Sequence, residues 1–203
     1  MELTGIHNGY RWVDLGLKMQ QDGRWVKVLF ATKNFGADTP LDTGTYYQWG
    51  SVVKRYKDSP TEYNWVQENT PKSFADVAAD CWSRGWRIPT TDEFRLLLDG
   101  NLVGLQYVAY YRGTNVDGML FTGRKAYAKA ELFFPATGYY SGREFKRHEV
   151  ACSYWTSNGD NRIYEADTFG YVSGVGGIFH NESTWRGRCI RPVITGPLYS
   201  LPL

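Results

Sequence analysis

Residues Ser73 to Gly100 read SFADVAADCWSRGWRIPTTDEFRLLLDG, and two helix signatures lie back to back in them. The spacing predicts a first helix from Ser73 to about Ser83. Ser73 stands at its cap and Asp76 at the reciprocal capping-box position, while Phe74, Val77, Ala78 and Cys81 recur at the i, i+3, i+4, i+7 spacing of one buried stripe. A second helix is expected to open at Thr90, just after Pro89. Glu93 is three residues past its cap, Phe94, Leu97 and Leu98 share one face, and Gly100 stops it. Both are short.

Outward from this pair the pattern changes period. Beyond Gly100 only runs suited to strands occur: Leu102 to Arg112, Leu132 to Tyr140, Cys152 to Ser157, Arg162 to Tyr171 and Arg188 to Thr195. Ser141-Gly142 and Asn158-Gly159 punctuate them as turns, and the cluster Gly170, Gly174, Gly176 and Gly177 reads as a flexible turn region. Upstream, Arg11 to Met19 and Trp25 to Thr32 flank Asp22-Gly23, a hairpin signal. From Asn34 to Lys72, Gly and Pro interrupt an aromatic series, which implies a long packed loop. The expected class is α+β: two early helices, then a mostly antiparallel sheet with long loops.

Composition narrows the function. A length of 203 residues favours one domain, residues 1–203, with a real core. Lys plus Arg number 23 against 21 Asp plus Glu, so no broad field is available to grip nucleic acid. The longest apolar runs, such as Val28 to Ala31, fall far short of a membrane span, and the first twenty residues do not read as an export signal. No nucleic-acid partner and no membrane insertion are expected. Aromatics make up 16% of the chain, with 15 Tyr and 8 Trp, and these residues serve recognition surfaces as readily as cores.

Catalytic constellations are not found. Gly138-Tyr139-Tyr140-Ser141-Gly142 has the wrong spacing for a nucleophile elbow. His7, His148 and His180 lie far apart without metal-ligand spacing, and Ser157-Asn158-Gly159-Asp160-Asn161 reads as a turn before it reads as a calcium loop. Three cysteines, Cys81, Cys152 and Cys189, form no local pair, and their default is buried, reduced thiols. No catalytic residue, cofactor or metal is expected.

Several strings in their order resemble the Fibrobacter succinogenes major paralogous domain, a family abundant in Bacteroidota. They are Val13-Asp14-Leu15-Gly16-Leu17, Ala31-Thr32-Lys33-Asn34-Phe35-Gly36-Ala37 with Pro40, Gly44-Thr45-Tyr46-Tyr47-Gln48-Trp49-Gly50, Gly85-Trp86-Arg87-Ile88-Pro89-Thr90 with Glu93, Phe134-Pro135-Ala136-Thr137-Gly138-Tyr139, Tyr154-Trp155-Thr156-Ser157 and Arg191-Pro192-Val193. The resemblance spans about residues 13 to 194. It implies a C-type-lectin-like fold, shared more distantly with formylglycine-generating enzymes and with the variable proteins of diversity-generating retroelements. It also implies paired first and last strands, so that Trp25 to Thr32 or its hairpin partner lies beside Arg188 to Ile194. Residues 18 to 27 look like an insertion in the first hairpin, and Lys33 stands where many members have Cys. Trp86, Trp155 and the Pro-Thr-x-x-Glu turn are expected to be scaffold. Lectin-like folds often join the first helix to the last strand by a disulfide, which would pair Cys81 with Cys189; the lack of an export signal argues for free thiols.

In such a fold the ligand is expected on the segment before the closing strand. That segment carries Asn158, Asp160, Asn161, Tyr164, Asp167, Phe169, Tyr171, Ser173, Phe179, His180, Asn181 and Trp185. Aromatics supply contact area, Asn and Asp supply hydrogen bonds, and the interspersed glycines permit tight loops. The bland alternative is a sheet edge with polar residues facing water. The expected function is non-enzymatic: an adhesin or receptor-binding module displaying a variable surface to a protein or glycan on a cell surface, a description that includes a retroelement-diversified protein. Its expected setting faces outward, on a bacterial surface or a phage particle. The alternatives are a decoration subunit of a phage particle, which would oligomerise through the same surface, and an oxidoreductase of the formylglycine-generating type. The latter needs a close cysteine pair for copper, which Cys152 and Cys189 could form only through folding.

Overall fold

A computed structural model describes residues 2–52, 64–146, 151–160, 162–172 and 176–198. In chain order the elements are β1 (Thr4–His7), β2 (Tyr10–Val13), β3 (Lys18–Gln21), β4 (Arg24–Ala31), α1 (Val77–Trp82), α2 (Thr91–Leu96), β5 (Val103–Val108), β6 (Gly118–Gly123), β7 (Glu131–Pro135), β8 (Tyr139–Ser141), β9 (Glu144–Lys146), β10 (Ala151–Asp160), β11 (Glu165–Val172), β12 (Gly176–Ser183) and β13 (Val193–Pro197). Short strands in antiparallel pairs dominate and the two α-helices are brief, which makes the class α+β as expected.

The terminal sheet has the order β1-β2-β4-β13, with β3 also paired to β4. β13 runs antiparallel to β4, with Val193 opposite Phe30 and Thr195 opposite Val28. The expected pairing of the early strand with the closing segment is present, although the ladder begins at Val193; Arg188 and Cys189 make only single-residue bridges, to Tyr47 and Tyr154. The β3–β4 hairpin turns at Asp22 and Gly23, whose φ values of 50° and 74° are those of the tight turn that an Asp-Gly step favours.

The described residues form three further sheets: β5-β6-β7, β8-β9 and β10-β11-β12. Their aromatic side chains meet in one core. Phe94 of α2 stacks on Phe169 of β11 with ring centroids 4.7 Å apart, and both rings approach Phe134 of β7 edge-on. Phe30 of β4 and Phe121 of β6 close the group. A second cluster gathers Tyr47, Trp49, Trp82, Trp86 and Trp155. Its indoles cross-link distant segments while burying area: Trp86 Nε1 donates to the His7 carbonyl at 3.0 Å, Trp155 Nε1 to that of Tyr47 at 2.7 Å, and Trp49 Nε1 to that of Thr156 at 2.8 Å. Trp86 and Trp155 are fully buried, as a scaffold role requires.

Arg191 is buried among these aromatics, and among the described residues no carboxylate pairs with it. Its guanidinium donates to the carbonyls of Ala31 at 3.1 Å and Phe133 at 3.0 Å and lies over the Phe134 ring, tying β4 to β7. Burial holds its pKa below the ordinary arginine value.

The helices depart from expectation at their ends. α1 begins at Val77, not Ser73, because Asp76 is the cap: its Oδ1 accepts from Ala78 N and Ala79 N at 3.0 Å while Oδ2 accepts from Ile88 N at 2.8 Å. One carboxylate both starts the helix and clamps the chain that follows it, a tie Ser73 is too short to make. α2 carries the expected Thr90–Glu93 capping box. Glu93, fully buried, also accepts two bonds from Arg87, at 2.7 and 2.5 Å, so the Pro-Thr-x-x-Glu turn is structural.

Three strand boundaries also move. The run from Leu102 stays extended only to Val108 before a 3-10 turn at Tyr111–Gly113. β6, whose ends are glycines, has no counterpart among the expected strands; of the glycines expected as a flexible turn, Gly170 lies within β11, Gly176 and Gly177 open the regular strand β12, and Gly174 lies outside the described residues. In the expected loop from Asn34 to Lys72, Tyr47 and Trp65 are bridged to Arg188 and Gly142 and buried; Tyr56 and Tyr63 lie outside the described residues.

Candidate functional site

The segment expected to bind ligand forms β10, β11, β12 and the turn after β12. β11 is the central strand, and both of its faces are covered at mid-length. Ala166 and Thr168 on one face and Phe169 on the other are each 2% exposed or less. Phe169 lies against Phe94 and cannot meet a ligand, which corrects its assignment: a strand between two neighbours, with a helix against it, has no wet face to offer.

Asn158 and Asp167 are also diverted. The β10–β11 register breaks between Trp155 and Gly159, so that Thr156, Ser157 and Asn158 oppose the single residue Asp167. This bulge docks on the start of α2. Asn158 Oδ1 accepts from Thr91 N at 2.8 Å, Asp167 Oδ2 accepts from Thr91 Oγ1 at 2.9 Å, and Ser157 N donates to the Pro89 carbonyl at 2.7 Å. Two polar side chains expected to contact ligand are engaged in seating the helix, Asn158 through Oδ1 and Asp167 through Oδ2.

Of the remaining candidates, Tyr171 is half-buried against the main core. Trp185 is half-buried and its carbonyl accepts from Gln48 Nε2 at 3.3 Å. Phe179 and His180 are placed only by their backbone pairing with Phe169 and Thr168. Asn161 and Ser173 lie outside the described residues.

Asp160, Tyr164 and Asn181 do come together, around the β10–β11 tip. Asp160 pairs with Arg162 at 2.6 Å, and that side-chain hydrogen bond holds its carboxyl at about 2, below the ordinary aspartate range. Tyr164 is in the left-handed region at φ 56°, and its carbonyl accepts from Thr184 N at 3.0 Å, which ties the tip to the end of β12. Asn181 Nδ2 bonds Glu165 Oε2 across the strands at 2.8 Å. Beside Tyr164 stands Ile163, 62% exposed. Ile163 is not among the residues expected to bind; its signal in the sequence is one β-branched apolar residue next to a Tyr.

Behind this tip, the ring of Tyr139 lies near two guanidiniums, Arg188 at 4.5 Å and Arg186 at 5.3 Å, and Glu182 pairs with both arginines. Burial first, and then the Arg186 charge, bring the Arg188 pKa down to about 10. The cluster anchors the chain end of β12 to β8.

The cysteines are free. Cys81 is exposed on α1, so the disulfide implied by the resemblance is not formed. Cys152 and Cys189 are buried, and burial pushes the Cys152 thiol up to about 12 and that of Cys189 higher still. Such thiols are protonated and inert at neutral pH. Among the described residues no three His, Cys, Asp or Glu side chains converge as metal ligands, and no helix is long and apolar enough to cross a membrane.

Comparisons with protein-family models, with curated proteins and with solved structures find no match for this chain.

Proposed function

We propose that this chain is a non-enzymatic binding module of the C-type-lectin-like type, in line with its resemblance to the Fibrobacter succinogenes major paralogous domain. It meets a protein or glycan on a cell surface through the β10–β11 tip. The observation that carries this reading is the pairing of Ile163 and Tyr164, 62% and 37% exposed, on a turn held at both ends. Exposed apolar side chains on a fixed turn bind at small entropic cost, because the ordering has been done by folding. Asp160, Arg162 and Asn181 surround them with polar groups, the composition of an interface rim around a small apolar centre. The frame beneath supports display: the β4–β13 closure and the Phe94–Phe169 stack keep the tip's base fixed while side chains at the tip can vary.

The test is flow cytometry of the fluorescently labelled protein against a panel of bacterial and animal cells. Wild-type protein stains at least one cell type, and Ile163→Asp with Tyr164→Ala abolishes the staining while leaving the melting temperature unchanged. Staining that survives this double substitution refutes the assignment. Sedimentation at micromolar concentration separates this reading from an assembly subunit, which would instead form a large stable oligomer.

A further inference from the structure

A pocket of about 360 Å³ lies between the β5–β6 connection, the loop after β4 and the end of β7, with no residue of the β10–β11 tip in its lining. Its size is in the range of small-ligand sites. Leu41, Val116 and Pro135 contribute apolar wall, Tyr110 and Asn115 line it further, and Asp117 brings the sole formal charge among the lining residues.

Tyr110 and Asp117 are linked. Asp117 Oδ1 accepts the Tyr110 backbone N–H at 2.8 Å, and Oδ2 accepts the Tyr107 hydroxyl at 3.0 Å. A carboxylate offers about four lone-pair sites, so each oxygen keeps one for a further donor. Tyr110 stands at φ 53°, ψ 48°, and Arg112, two residues on, is also left-handed at φ 51°. Neither residue has the freedom of glycine, and both conformations persist because the loop is bonded across itself, Tyr111 N to the Val116 carbonyl at 2.9 Å and Gly113 N to that of Tyr110 at 2.9 Å. The outcome of this strained arrangement is a tyrosine 67% exposed to water whose backbone is held by Asp117, both residues lining the same pocket. Nearby Arg112 is engaged with Glu131 at 2.6 Å and does not neutralise Asp117.

We propose that this pocket binds an organic cation, an alkylammonium or alkylguanidinium on a short apolar stem such as the side chain of lysine or arginine. The charged head bonds the free lone pairs of Asp117, the stem packs on Leu41, Val116 and Pro135, and Tyr110 adds the attraction of an aromatic ring for a cation. A neutral polyol would gain the hydrogen bonds and lose the charge, and an anion would be repelled.

The test is titration of the ¹⁵N-labelled protein by NMR with n-butylammonium, acetyl-Gly-Lys-Gly-amide, acetyl-Gly-norleucyl-Gly-amide and methyl glucoside. Both cations shift the Tyr110, Asn115 and Asp117 amides with millimolar Kd, and the two neutral probes do not. A peptide that binds tighter than butylammonium marks a partner's side chain as the source; equal binding marks a free amine. Asp117→Asn, which keeps an acceptor for the Tyr110 N–H, weakens cation binding about tenfold or more. Tyr110→Leu, at an exposed position, weakens it about threefold. Equal shifts from the norleucyl peptide or the glucoside, no shifts at tens of millimolar cation, or unchanged affinity in either variant each overturn the proposal. Ile163 and Tyr164 have no part in this pocket, so failure here leaves the tip assignment standing.

Discussion

Phe169 and Tyr164 sit five residues apart at one hairpin, and replacing each by alanine must have opposite consequences. Phe169 is wholly buried, stacked 4.7 Å from Phe94 and edge-on to Phe134. Truncation removes the ring's transfer free energy, about 1.5–3 kcal/mol, and leaves a cavity that surrounding aromatics cannot fill without giving up their own stacking, for a total of about 4 kcal/mol. With a urea m value of about 3 kcal/mol/M the unfolding midpoint falls by about 1.3 M, and the melting temperature falls by about 8–16 °C. Tyr164→Ala removes a side chain that already faces water and changes stability by no more than about 0.5 kcal/mol. Urea unfolding followed by far-UV circular dichroism measures both. A double-mutant cycle with Phe94→Leu isolates the stack, expected at about 0.5–1.5 kcal/mol. If Phe169→Ala costs less than about 1 kcal/mol, or Tyr164→Ala costs more than about 2 kcal/mol, the division of this hairpin into frame and tip is wrong.

Further expectations concern the thiols and the glycines. Of the three cysteines, only Cys81 reacts promptly with a maleimide in the native protein at pH 8, and all three react in guanidinium; two fast native thiols would contradict the burial of Cys152 and Cys189. Since burial raises the Cys152 pKa from 9.0 to about 12, the unfolded thiol ionises first and stability falls as pH rises through that window. Relative to wild type, Cys152→Ala therefore gains about 1 kcal/mol between pH 9 and pH 10, read from paired denaturation curves, and a pH-independent difference refutes the buried-thiol assignment. Gly118→Ala places a Cβ 2.1 Å from the Phe134 carbonyl oxygen and costs about 1–3 kcal/mol, whereas Gly100→Ala meets nothing within 4 Å and stays within about 0.5 kcal/mol of wild type.

Local signals in the sequence were read correctly where the interaction itself is local. The Thr90–Glu93 capping box spans three residues and Asp22-Gly23 encodes its own turn, so neither depends on the rest of the chain. The cap of the first helix lies three residues beyond the expected Ser73 because Asp76 makes a second bond, to Ile88 N, that no helix rule contains. β6 was missed because its end glycine reads as a break, yet Gly118 is there for the close approach of Phe134.

The candidate site shows the same division more sharply. Residue type and alternation determined that the chain would form strands rich in aromatic and polar side chains, and the strings that carry the family resemblance implied that Trp86 and Trp155 would be scaffold. Whether a given aromatic faced water was decided only when α2 packed on β11, bringing Thr91 to Asp167 and Phe94 to Phe169. Those partners lie more than seventy residues apart along the chain. Hydrophobic periodicity records that a side chain prefers burial, while tertiary packing selects which faces have a neighbour to be buried against; thus Phe169 became frame, and Ile163 and Tyr164, on a turn beyond the reach of α2, remained at the surface.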